Sequence, residues 1–103
     1  MAEENKKKQI NIELSDEMAE GTYSNLAIIT HSHSEFIVDF IKMMPGAPKA
    51  KVKSRIILTP QHAKRLYKAL QDNITKFERL HGDIKVPKAE NLPLNFGGPK
   101  GEA

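Results

Sequence analysis

Apolar and polar residues alternate one for one near the start of the chain. Ile10, Ile12 and Leu14 are separated by Asn11 and Glu13, the two-residue period of a half-buried strand. SDEMAEG, residues 15–21, breaks that period and ends in glycine, which suits a loop or a single helical turn. Residues 22–30 predict a second strand with Leu26, Ala27, Ile28 and Ile29 at its centre. Residues 36–44 predict a third. There Phe36, Val38 and Phe40 fall on one face, and Ile37, Ile41 and Met43 on the other, with Asp39 between them. PGAP, residues 45–48, is a turn with two proline brakes. Residues 51–58 predict a fourth strand, with Val52, Ser54, Ile56 and Leu58 on one face and Lys51, Lys53, Arg55 and Ile57 on the other.

The period then changes. Ala63, Leu66, Tyr67, Leu70, Ile74, Phe77 and Leu80 recur at helical spacing. Thr59 is a capping residue, and Pro60 suits the first helical position, where no N–H partner is needed. Gly82 ends the pattern, and Arg79 and His81 occupy the last turn, where the helix dipole favours cations. Together these signals predict a helix over 60–81. Beyond residue 84, prolines and glycines interrupt every pattern. The expected fold is α+β: an antiparallel sheet of about four strands followed by one long C-terminal helix. Its expected divisions are a disordered tail over 1–8, a single domain over 9–83, and a Pro/Gly-rich extended tail over 84–103.

One helix covers one face of such a sheet, yet the third strand is apolar on both. Exposing a second apolar face is costly for a soluble monomer. A homodimer with two-fold symmetry is therefore expected, with Ile37, Ile41 and Met43 as interface candidates. The alternative is that NLPLNF, residues 91–96, folds back over that face.

Composition narrows the rest. The 103 residues suffice for one small domain. There is no cysteine, so disulfides, thiolate metal sites and cysteine nucleophiles are excluded. No apolar run approaches the roughly 20 residues of a membrane span, and the charged N-terminus does not read as a secretory signal. A cytoplasmic location is the default. Net charge is only +3, but no acid lies between Asp39 and Asp72. Lys51, Lys53, Arg55, Lys64, Arg65 and Lys68 fall in that gap and form the candidate anion- or partner-binding group. Lys64 and Lys68 are like charges four apart, and all three helix cations work against the dipole at its N-terminus. Nucleic acid, an acidic protein or a membrane surface would relieve both costs. A merely solvated basic face is the alternative.

Candidate chemistry is thin. In ITHSHSEF, residues 29–36, His31, His33 and Glu35 alternate and could share one side of a strand. A structural zinc wants four ligands, and a polar turn in which Ser32 and Ser34 bond the backbone explains the same residues. His62 could act as a base only if an acid such as Asp39 reached it. Asp39 pairing with a neighbouring cation is the alternative. No nucleophile elbow, phosphate-binding glycine loop or paired-acid motif is present. No catalytic residue, metal, cofactor or small-molecule substrate is assigned, and the chain is not read as an enzyme.

YSNLAIITHSHSEFIVDF and AKVKSRIILTPQHAKRLYKALQDNITKFE carry a resemblance. Over roughly residues 10–81 the chain resembles the bacterial proteins grouped as domain of unknown function 3467. The resemblance implies no activity. In that family a proline often stands where His33 stands here, so it lends the histidine pair no ligand role. The expected function is a non-enzymatic, homodimeric interaction module with a basic surface. The alternatives are a nucleic-acid-binding protein and a client-binding oligomer, the latter from a fold-level analogy with bacterial export chaperones.

Overall fold

A computed structural model of the chain describes residues 9–46 and 49–87. Its elements are α1 (Asp16–Ala19), β1 (Leu26–His31), β2 (Phe36–Lys42), β3 (Lys51–Leu58) and α2 (Pro60–His81). The three strands form one antiparallel sheet in the order β1-β2-β3. The architecture is α+β with a long C-terminal helix, as the patterning predicts, but the described sheet has three strands rather than four. Residues 9–14 form no ladder, and Ile10, Ile12 and Leu14 are exposed. Alternation records which face a segment can bury; it does not supply a pairing partner. Ser15 starts the single turn of α1, its hydroxyl accepting from the Met18 N–H at 3.2 Å.

β2 is the centre of the sheet, and its two faces are resolved by register. Ile29, Val38 and Ile56 lie opposite one another across the three strands, as do His31, Phe36 and Leu58. The other face carries Ile28, Asp39 and Arg55 in one row and Thr30, Ile37 and Ile57 in the next. The ladder between β2 and β3 is irregular. Phe40 opposes Ser54, but Ile41 opposes Val52, so Lys53 is an extra residue. A bulge of this kind reverses the facing of everything before it. The expected alternation over 51–58 therefore holds only from Ser54 to Leu58. Val52 joins the Ile41 side, and Lys51 pairs with Lys42.

α2 begins and ends where its caps dictate. The Thr59 hydroxyl accepts from the His62 N–H at 3.2 Å, and Pro60 is the first helical residue. Gly82 closes the helix at φ 95°, a conformation that side chains with a Cβ disfavour, and its N–H donates to the Glu78 carbonyl. The helix does not cover a face of the sheet. It touches β3 sparsely and has no substantial contact with β1 or β2. The buried apolar residues are Val38, Ile41 and Leu58, all on β2 and β3. Leu66, Tyr67, Leu70, Ile74, Phe77 and Leu80 remain exposed, Tyr67 by 62% and Leu70 by 56%. The expectation that this helix covers one face of the sheet is thus corrected. The tail over 1–8 and the NLPLNF segment lie outside the described residues. Residues 84–87 carry no regular structure.

Candidate interaction surface

Asp39 interrupts the apolar row of β2, and register puts it directly across from Arg55. The guanidinium meets the carboxylate on two bonds. Nε donates to Oδ1 at 2.7 Å and Nη2 donates to Oδ2 at 2.9 Å. Asp39 is only 1% exposed, whereas the Arg55 side chain stays largely open to water. The hydrogen bonds from Arg55 hold the Asp39 carboxyl below the usual carboxylate range. Burial opposes that shift, and the guanidinium charge reinforces it. Arg55 in turn is held more firmly protonated by the same bonds. This fork consumes the arginine that the sequence placed in the anion-binding group. It also engages Asp39, the acid that a base at His62 would require.

The remaining cations separate into two groups. Lys51 and Lys53 lie at the far end of β3, and about 17 Å of strand separates Lys53 from Leu58, where β3 gives way to α2. The bulge removes the shared face expected for Lys51, Lys53 and Arg55. It brings Lys51 directly opposite Lys42 instead. Like charges facing across a ladder repel, so the loop end of the β2–β3 hairpin is a concentrated positive site. Lys42 also lies over the Tyr23 ring, 5.8 Å from its centroid. Lys42 was not among the predicted site residues; only the register shows that it faces Lys51. Lys64, Arg65 and Lys68 sit in the first turns of α2, on the side away from the apolar stripe by helical spacing. The like-charge pairing at positions 64 and 68 is as expected, while Lys76 further along pairs with Asp72 at 3.3 Å.

A family model described as "Protein of unknown function (DUF3467)" matches residues 1–86. The chain belongs to that family. No curated protein and no solved structure matches it. The DUF3467 match spans every described element, so the exposed α2 stripe and the Asp39–Arg55 pair both lie within the family's domain. No helix among the described residues is long and apolar enough to cross a membrane.

HSHS is a closed polar turn. The Ser32 N–H donates to the Glu35 carbonyl at 2.9 Å, and the Ser32 hydroxyl accepts from the Ser34 and Glu35 N–H groups at 3.2 and 3.3 Å. His31 stacks on Phe36, its register partner, with centroids 5.4 Å apart. Ser32, rather than either histidine, therefore organises the turn. S32A strands two amides and is expected to cost about 1 kcal/mol, against under about 0.5 kcal/mol for H33P. Urea unfolding of the two variants checks the order.

The three predicted interface residues do not present one common apolar surface. Ile41 is 5% exposed and already part of the protomer's core. Ile37 is half-buried. Met43 lies past the end of β2, where the Asn25 side chain bonds both its N–H (2.7 Å) and its carbonyl (3.0 Å). The larger apolar surface is on α2. Its heptad-like spacing was legible, but its exposure follows from where the helix leaves the sheet.

Proposed function

We propose that this DUF3467 protein is a non-enzymatic interaction module that works as a homodimer, with the apolar stripe of α2 at the interface. One observation carries the reading: a 22-residue helix with strong caps whose large apolar residues stay exposed among the described residues. The six exposed stripe residues present on the order of 600 Å² of surface, near the roughly 800 Å² per partner of a standard interface. Most of the stability of an amphipathic helix in a protein comes from packing its apolar face. A second copy supplies a matching face under two-fold symmetry. Sedimentation equilibrium across micromolar concentrations tests this: a species of twice 11.6 kDa is expected, and a lone 11.6 kDa species at all concentrations would overturn it.

A second reading concerns what the dimer engages. Lys42 opposite Lys51, with Lys53 beside them, favours an anionic partner at the hairpin end. An acidic protein or the backbone of a nucleic acid has that chemistry. With about three phosphate contacts, binding to duplex DNA should fall with salt at a log–log slope near −3, by the rule of roughly −0.9 per contact. K51E/K53E should abolish the binding and leave the fold intact. Salt-independent binding, or unchanged binding by the double variant, would assign these lysines to a solvated face.

A further inference from the structure

Residues 9–14 hold a strand-forming pattern that the protomer does not use. Ile10, Ile12 and Leu14 are 82%, 91% and 71% exposed. Beside this unused strand stands an unused edge. β1 and β3 form the two borders of the sheet, and they are defended very differently. β3 carries Lys51, Lys53, Arg55 and a bulge, the usual devices against strand addition. β1 reads LAIITH, with no acid, lysine, arginine or proline. Its outer side has no ladder partner among the described residues.

We propose that residues 9–14 of one protomer add as a strand to the outer edge of β1 in a second copy, and reciprocally, so that each sheet of the dimer has four strands. The proposal rests on the homodimer reading and says which backbone edge that dimer uses. Lengths agree, since β1 has six residues and the segment spans the same number. Faces agree as well. Leu26, Ile28 and Thr30 are half-covered, whereas Ile29 on the opposite face is 61% exposed. An incoming row of Ile10, Ile12 and Leu14 beside Ile29 would extend the face that also carries Val38 and Ile56. Exchange with a second copy satisfies both the exposed segment and the open edge, which are not paired with each other in the described protomer. α1 ends at Ala19, the chain turns at Gly21 with φ 79°, and residues 9–14 stand exposed without a ladder to β1. Reciprocal addition is a closed, isologous arrangement, so it caps both edges without propagating into a filament. Main-chain hydrogen bonds then provide the attachment, and alternate side chains provide the register.

The full chain has no cysteine, so introduced thiols report without background. An affinity-tagged I12C chain mixed with an untagged I29C or A27C chain, refolded together and mildly oxidised, is expected to give a covalent heterodimer on non-reducing electrophoresis. I28C, on the other face, should crosslink at least tenfold less. I12P, which removes one ladder donor, is expected to weaken association at least tenfold by sedimentation, with I12T near wild type. If the chain sediments only as a monomer, the dimer reading fails and this proposal fails with it. A dimer that gives no crosslink at A27C or I29C and ignores I12P would overturn strand exchange alone. An intrachain disulfide in a doubly substituted I12C/I29C monomer would also overturn it, because the segment would then pair within its own chain.

Discussion

Under the proposed α2-mediated dimer, L70E/F77E is expected to sediment as a monomer at micromolar concentration and to lose helix content. Both residues lie near the middle of the exposed stripe of α2. Burying a Leu or Phe side chain is worth about 1.5–3 kcal/mol. In a two-fold interface each substitution counts twice, so the double change removes more than enough to raise the dissociation constant at least a hundredfold. The second effect follows from the first. α2 has little packing against its own sheet, so its caps and intrinsic propensity must otherwise sustain it alone. Sedimentation equilibrium reads the association, and far-UV circular dichroism reads the helix. K68E, on the opposite side of the same helix, is the control and should alter neither. If L70E/F77E retains the wild-type mass and ellipticity, the stripe is not the interface.

R55M is expected to be the most destabilising single change in the sheet, lowering Tm by more than about 10 °C. The reason is the partner it leaves behind. Asp39 would lose both donors, and a carboxylate left unpaired beneath the methionine side chain costs more than a lost surface ion pair. R55K should recover little of the loss, because an ammonium cannot reproduce the two parallel bonds. D39L/R55L, which removes the charge as well as its partner, should recover most of it. The pH dependence discriminates further. In the wild type the Asp39 pKa lies below its unfolded value. Its contribution is therefore present above about pH 4 and is lost as pH falls through the depressed folded pKa. In R55M, burial without a cation pushes the same carboxyl up. The penalty of that variant should then shrink as pH is lowered from 7 towards 4. Thermal melts of the three variants at pH 7, 5 and 4 measure this, and a penalty for R55M that stays constant with pH would contradict the account.

The candidate surface was only partly legible beforehand. The acid-free stretch marked out a population of cations. It did not show that Arg55 is engaged by Asp39, or that Lys42 faces Lys51, since both facts depend on register and on one extra residue at position 53. HSHS could be read as a turn because serine oxygens beside free amides suffice to make one. Ile41 looked like an interface residue because alternation assigns a face and says nothing of what neighbouring strands already cover.

What the sequence by itself determined is local. Helix α2 runs from Pro60 to His81, as its stripe, its threonine cap and its terminal glycine require, because capping and helical periodicity are properties of adjacent residues. The β2 and β3 strands and the tight turn before β2 were likewise legible, as was the α+β class that their order implies. Only the tertiary structure decided the rest. Residues 9–14 have the period of a strand but pair with no strand among the described residues, since pairing is a relation between distant segments. The bulge at Lys53 reversed the facing of Val52 and Lys51, because a single unpaired residue shifts every side chain that precedes it. The stripe of α2 stays uncovered for the same kind of reason: periodicity says which side of a helix is apolar, and the direction in which the chain leaves β3 says whether anything is there to meet it.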